Sequence, residues 1–96
     1  MSRRPNHFAL STCGRFVVER YEGDIYPNVM TVDEALARQR RSEEAAAAYE
    51  ADFDNLRRSG RDAEAEHFRL GAALSLTIAA EIAEALNGAT AERRAA

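Results

Sequence analysis

The first part of the chain alternates short apolar runs with turn-forming residues. The segments 7–12 (HFALST) and 15–21 (RFVVERY) are rich in β-branched and aromatic residues, and Cys13 and Gly14 lie between them. Two residues with glycine in the second place are typical of a β-hairpin loop. The pattern therefore predicts an antiparallel hairpin at the start of a β element over residues 7–30.

A second turn and a third apolar segment follow this hairpin. The residues at 22–24 (EGD) favour a turn, and the segment 25–30 (IYPNVM) has the composition of a short strand. Pro27 has no N–H to donate to a neighbouring strand, so it restricts this strand to a sheet edge. The apolar residues of the β element that we expect to face the core are Phe8, Leu10, Phe16 and Val18.

The rest of the chain has the composition and end residues of two long helices. Thr31 and Glu34 have the spacing of a capping box, in which each side chain accepts the backbone N–H of the other residue. No helix-breaking residue follows until Gly60, which suits a C-terminal cap because glycine adopts positive φ easily. We predict a first helix over residues 31–58 and a second helix over residues 62–87.

The predicted fold class is α+β, in a single domain that spans residues 1–96. A short N-terminal antiparallel β-hairpin or meander is followed by a long antiparallel two-helix hairpin, since the connection between the helices is short. Asn87 and Gly88 are predicted to end the second helix. Residues 1–6 are predicted to be a flexible arm, and residues 88–96 a flexible tail.

The second helix has more apolar surface than one neighbouring helix can cover. The segment 70–80 contains no charged residue, and a helical wheel divides its apolar side chains into a bulky face and a mainly small face. The first helix supplies a single apolar stripe. In an antiparallel pair, Tyr49 is predicted to lie near Gly71, and Phe53 near Phe68.

A second copy of the chain can cover the face that remains. We therefore expect a homodimer with a bundle-like helical core. The residues of the small face, which we expect to form the dimer or packing face, are Ala72, Leu76, Ala79 and Ala83.

Composition and charge narrow the class of protein. The chain has 96 residues, a net charge of −3 and one cysteine, so it has the size of one domain and cannot form an intrachain disulfide. All basic residues are arginines, and the mild negative charge argues against non-specific binding of nucleic acid. The N-terminus lacks the apolar region of a signal peptide, and the uncharged stretch is shorter than the about 20 residues of a membrane span. We expect a cytoplasmic protein with no membrane partner.

A Glu-x-x-His pattern raises the possibility of a metal site. Glu64 and His67 lie on one side of the second helix, and Glu50 lies at the edge of the apolar stripe of the first. A dimer would gather two such sets, which are the ligand types of di-iron carboxylate bundles. In this respect the helical half resembles the encapsulated ferritins, which implies a metal-binding helical dimer. The alternative is that Glu64 only stabilises the start of its helix and that no metal is bound.

The segment 43–54 is rich in acidic residues and has arginines on either side. One interpretation is a solvated helix face, and the other is an acidic patch that binds a basic surface, such as the groove of a nucleic-acid-processing protein. Charge reversal at Asp52 and Asp54 should then weaken the binding of this partner. The residues of this predicted partner-binding patch are Glu43, Glu44, Glu50, Asp52 and Asp54.

The function predicted from the sequence is protein binding without catalysis. The sequence has no Gly-rich phosphate loop, no cysteine pair for zinc and no Gly-x-Ser-x-Gly motif, so we assign no catalytic residue and no cofactor. Small acidic chains of this type are frequent among phage and mobile-element inhibitors, anti-CRISPR proteins included. We expect an adaptor, regulator or inhibitor. The alternatives are the metal-binding dimer and a nucleic-acid-associated protein that uses its arginines.

Overall fold

A three-stranded antiparallel sheet precedes two long helices that form a hairpin, so the predicted α+β class is confirmed. The computed structural model describes residues 6–95, with side chains as far as Gly88. The predicted flexibility of the arm before Asn6 lies outside the described residues. The elements are β1 (Phe8–Leu10), β2 (Phe16–Glu19), β3 (Asn28–Thr31), α1 (Val32–Arg58) and α2 (Asp62–Ala95).

The chain divides into two compact units. The first unit comprises the described residues up to Ala37 and from Ala80 onward, and so contains the sheet, the start of α1 and the end of α2. The second unit comprises residues 38–79, which are the rest of α1, the loop after it and the first part of α2. Each unit has its own set of buried side chains.

The loop between β1 and β2 is longer than the sequence predicts. Ser11 donates its N–H to the carbonyl of Phe16 (2.8 Å), so residues 12–15 form a four-residue loop instead of the predicted two-residue loop. Gly14 has φ +75° and donates its N–H to the carbonyl of Ser11 (2.9 Å). The Ser11 hydroxyl adds a third restraint, because it accepts the N–H of Phe16 at 3.1 Å.

The core-facing side of β2 is opposite to the one predicted. Val17 is fully buried and pairs with Met30 on β3, whereas Phe16 is 39 % exposed. Phe8 faces the core as predicted, but Phe16 and Val18 belong to the outer face of the sheet. The physical reason is that a strand alternates its side chains between two faces, so one register step exchanges them all.

The first unit has a small core drawn from every element. Its buried apolar residues lie on β1, β2, β3 and both helices, and the largest fully buried side chains are those of Val17 and Ile82. The buried apolar residues of this unit are Phe8, Val17, Met30, Ala35, Ile82 and Ala85.

Both predicted ends of α1 are present. The Glu34 N–H donates to the Thr31 hydroxyl (3.1 Å), and the Thr31 N–H donates to the Glu34 carboxylate (3.3 Å), which completes the capping box. At the other end, Gly60 has φ +75°, and the N–H groups of Gly60 and Arg61 donate to the carbonyls of Arg57 and Leu56. This pair of bonds is a Schellman motif.

The second unit buries small side chains where its two helices meet. The buried residues of α2 in this unit are spaced seven apart, which keeps them on one side of the helix. Tyr49 lies against Gly71, as predicted, and its ring is 6.0 Å from that of Phe68. The predicted proximity of Phe53 and Phe68 stays a prediction. The buried alanines are Ala46, Ala65, Ala72 and Ala79.

α2 continues past the end predicted at Asn87 and Gly88. Its backbone stays helical to Ala95, and Gly88 is not among the glycines with positive φ. The residues that follow, ATAERRA, include strong helix formers and no proline, so a helical glycine does not terminate the element. The predicted flexibility of the side chains beyond Gly88 lies outside the described residues.

The segment Asp62–Gly88 is long and apolar enough to cross a membrane by length and composition alone. Its best 18-residue window has a mean hydropathy of 1.3, and 22 % of that window is buried. A helix in the core of a soluble protein passes the same test. The cytoplasmic location expected from the sequence therefore stays a prediction.

Candidate functional site

A small groove lies between α1 and α2 in the second unit and is named here the hairpin groove. It encloses about 250 Å³, and its apolar side chains include the ring of Phe53 on α1 and Leu76 on α2, which is 46 % exposed. A carboxylate and a guanidinium lie among these apolar groups. The residues that line the hairpin groove are Glu50, Phe53, Arg69, Ala72, Ala73 and Leu76.

Arginines on both helices have fixed positions around the hairpin groove. The guanidinium of Arg57 lies 5.5 Å from the ring centre of Phe53, within the range of a cation–π contact. The Nε–H of Arg69 donates a bifurcated hydrogen bond to the two carboxylate oxygens of Glu66, each at 2.9 Å. These hydrogen bonds lower the pKa of Glu66 and raise that of Arg69, and because both side chains lie at the surface the pair adds little stability.

The five acidic residues of the predicted patch do not form one surface. With 100° between successive residues of a helix, Glu43, Glu50 and Asp54 fall within about 40° of each other on α1. Asp52 points about 180° from Glu43, and Glu44 points between the two directions. The structure thus places three predicted residues on the side of α1 that reaches the hairpin groove and separates Asp52 from them.

Two of these carboxylates are unpaired beside open depressions. Glu50 lines the hairpin groove, and Asp54 lines a second depression of about 320 Å³ together with Arg57 and Arg58. Glu43 accepts a hydrogen bond of 3.4 Å from Gln39. Within the described part of the chain, Glu50 and Asp54 make no side-chain hydrogen bond or ion pair, so both can receive a basic group.

The predicted dimer or packing face is divided between two environments. Ala72 and Ala79 are buried inside the chain, at 5 % and 4 % exposure, and Ala83 is half-buried. Leu76 stays exposed beside the hairpin groove. The bulky face remains open as well, because Leu70 and Leu74 are 54 % and 56 % exposed. Helix packing inside the chain therefore uses mainly the small side chains.

The three residues proposed as metal ligands are not gathered within one chain. Glu64 is paired with Arg61, three residues before it on the surface. His67 is exposed on α2, and Glu50 lines the hairpin groove. Among residues 6–88, no group of three or more His, Cys, Asp or Glu side chains is placed to hold a metal ion.

A buried polar network in the first unit was missed by the sequence analysis. The carboxylate of Glu19, which is 6 % exposed, accepts the hydroxyl of Tyr21 (2.6 Å) and the side-chain amide of Asn28 (3.1 Å). The ring of His7 stacks on Tyr21 with 4.6 Å between centroids, and its Nδ1 lies 3.7 Å from the Glu81 carboxylate. The network thus joins all three strands and α2 within this unit.

This network is built to hold the first unit together. Each Glu19 oxygen already has a donor, and no buried side-chain N or O atom of the described residues lacks a hydrogen-bond partner. Asn6 extends the network: its amide donates to the Glu81 carbonyl (2.9 Å), and its carbonyl oxygen accepts the Phe8 N–H (2.8 Å). Asn6, assigned to the flexible arm by the sequence, is therefore fixed in place.

Cys13 is exposed in the loop between β1 and β2. Its sulfur lies 3.3 Å from the Ser11 hydroxyl, and this contact, followed by a backbone hydrogen bond from Arg15, lowers the pKa of the thiol. His7 lies at the opposite end of the hairpin, where its carbonyl accepts the Arg20 N–H. The hairpin therefore does not bring a base to the cysteine.

No protein-family model matches this chain, and neither a curated protein nor a solved structure matches it. The functional argument therefore depends on the surfaces described above.

Proposed function

We propose that this chain is a small protein-binding module without catalytic activity, an adaptor, regulator or inhibitor, and that the hairpin groove is its binding site. The observation that carries the proposal is an apolar groove with an unpaired carboxylate, Glu50, on its rim. A partner that inserts an apolar side chain between Phe53 and Leu76 can place a basic group on this carboxylate. A compact apolar anchor with a charge at its border is the usual composition of an interface hot spot.

The partner is a protein whose contact surface carries arginine or lysine next to an apolar side chain. Asp54 extends the acidic side of the groove toward a second depression, so a partner with two basic groups gains two contacts. A nucleic-acid-processing protein, with its basic groove, has this chemistry. The chain then competes for the basic groove of that protein by complementary charge and shape.

The test is a pull-down from the native host with matched charge-reversal variants. Glu50→Arg with Asp54→Arg changes the side of α1 at the groove, and Glu44→Arg with Asp52→Arg makes the same charge change elsewhere on α1. Quantitative mass spectrometry measures the amount of each captured protein. A true partner should be lost from the pull-down with the first pair of substitutions and retained with the second pair. If no protein distinguishes the two pairs, or if the second pair also releases the partner, the groove is not the binding site.

We also propose that the chain forms a homodimer. Its cores are thin for its size, with Val17 and Ile82 as the largest fully buried side chains, and small domains often gain stability by association. The sequence analysis assigned the small face of α2 to a dimer contact or to packing within the chain. Ala72 and Ala79 of that face are buried within the chain, so a dimer contact needs another surface.

A further inference from the structure

Between the ends of β1, β2 and β3, the outer face of the sheet carries no charged side chain, and Arg20 borders it just beyond the end of β2. Ala9, Val18 and Val29 form one row across the three strands, and Phe16 pairs with Thr31 in the next row. Val29 is 55 % exposed and Phe16 is 39 % exposed. A sheet with one face on the core normally has polar residues on the other, so this uncharged face is typical of a contact surface.

The free edge of β1 is protected against addition of a further strand. Ser11 and His7 exchange backbone hydrogen bonds with β2, so the alternate residues Phe8 and Leu10 direct their N–H groups to the free edge. The Phe8 N–H is occupied by the Asn6 side chain at 2.8 Å. This leaves Leu10 as the strand residue with an N–H available at this edge.

The edge of β3 is protected in a similar way. Thr31 directs its N–H away from β2, since it donates to the Glu34 carboxylate. Backbone groups alternate in direction along a strand, so those of Val29 and Pro27 also point to the free edge, where proline has no N–H to donate. Both edges thus discourage strand addition. We therefore expect a partner to bind the face of this sheet and not to extend it at an edge.

The charges around this face identify the class of partner. The exposed charged residues of the sheet and its loops are Arg15, Arg20, Glu22 and Asp24, and Asp33 and Glu34 follow β3, so this region has no excess of positive charge. A surface without excess positive charge does not suit nucleic acid or an anionic membrane. Each end of the sheet carries charges of both signs. Arg15 and Asp33 lie at one end, and Arg20, Glu22 and Asp24 lie at the other. A second copy stacked in either strand orientation can therefore place opposite charges next to each other.

The face is small for an interface between proteins. Three strands about 4.8 Å apart, of three, four and four residues at about 3.3 Å each, give roughly 175 Å² in plan. Ile25 and Tyr26, in the segment between β2 and β3, are 84 % and 86 % exposed and offer further apolar surface. Specific interfaces bury about 1,000 Å² or more in total, so a dimer through this face is a weak one that forms only at high concentration.

We infer that the uncharged outer face of the sheet, centred on Val18 and Val29, is the surface through which two copies of this chain dimerise. The inference rests on the proposed homodimer and names its contact. Ala9 and Val29 lie on the two edge strands, so an arginine at either site desolvates a charge in the dimer while remaining solvated in the monomer.

The test is sedimentation velocity of the full chain at concentrations from about 5 to about 500 μM, which bracket a micromolar dissociation constant. The wild-type chain should change from monomer to dimer over this range. Ala9→Arg and Val29→Arg should each raise the dissociation constant at least about tenfold, with unchanged circular dichroism. Leu74→Arg, a matched change at an exposed apolar residue of α2, should leave dimerisation intact.

Two results would overturn the inference. One is a wild-type chain that stays monomeric over the whole range, and the other is a dimer that Leu74→Arg dissociates while Val29→Arg does not. The second result returns the interface to the helices. Because the hairpin groove contains neither Ala9 nor Val29, the monomeric variants should still capture the heterologous partner. Loss of dimerisation and loss of partner binding are therefore separate outcomes.

Discussion

Gly71 marks a close approach between the two helices of the second unit. A Cβ at this position would lie 3.3 Å from both Cδ2 and Cε2 of Tyr49, closer than ordinary van der Waals contact. Gly88 is also helical, and nothing lies within 4 Å of a Cβ built there. The two glycines thus have the same backbone conformation and different surroundings.

Replacing each of these glycines by alanine separates helix propensity from packing. Gly88→Ala should raise the free energy of unfolding by about 0.5–1 kcal/mol, because alanine favours the helix and meets no atom. Gly71→Ala should leave it unchanged or lower it by about 1 kcal/mol, because the new methyl group displaces the Tyr49 ring. Urea denaturation measures both. Equal stabilisation by the two variants would mean that the ring moves away without loss of packing.

Glu19 illustrates what the sequence could not reveal at the residue scale. The run Phe16-Val17-Val18 is apolar in both phases of a strand, so its pattern does not say which phase faces the core. Only the pairing with Tyr21 and Asn28 makes a buried carboxylate acceptable at Glu19. The sequence analysis placed Phe16 and Val18 toward the core, which is the incorrect phase.

At the scale of elements, the helices were more predictable than the strands. The capping box and Gly60 fix the ends of α1 through local hydrogen bonds, which depend on residues close in sequence. The hairpin loop and the register of β2 depend on contacts between strands and were predicted incorrectly. The end of α2 was misplaced because a glycine permits a helix to end but does not require it.

The capping box gives a quantitative expectation for α1. Thr31→Ala removes the hydroxyl that accepts the Glu34 N–H at the junction of β3 and α1, which should lower the free energy of unfolding by about 1 kcal/mol. Thr31→Ser keeps the acceptor and should cost much less. Thermal and urea denaturation of both variants check this. If serine and alanine destabilise the chain equally, the methyl group of Thr31 and not its hydroxyl matters.

At the scale of the whole molecule, the sequence analysis named some of the residues around the candidate site but not how they are grouped. It assigned Glu50 and Asp54 to partner binding and Leu76 to the dimer or packing face, and all three border open depressions of the second unit. It did not identify Arg69 or Phe53 as part of the same groove, because that grouping depends on how α1 lies against α2. It also placed Asp52 with Asp54, although two residues along a helix point in very different directions.

The two proposed surfaces differ in charge, so salt should affect them in opposite ways. Partner binding at the hairpin groove uses the exposed carboxylates Glu50 and Asp54, and the Debye length falls from about 10 Å at 0.1 M to about 3 Å at 1 M. This binding should weaken steadily with added sodium chloride. Dimerisation through the uncharged sheet face buries apolar side chains and should persist at 1 M sodium chloride or strengthen in sodium sulfate, because sulfate favours apolar burial.

Sedimentation velocity of the chain alone and calorimetry with the captured partner, over the same salt series, measure these two responses. Glu50→Arg should reduce the salt dependence of partner binding and leave that of dimerisation unchanged, because Glu50 lies outside the sheet face. The same decline of both associations with sodium chloride would contradict this division. It would mean that the dimer also depends on ion pairs, such as those between Arg15 or Arg20 and the acidic residues at the ends of the sheet.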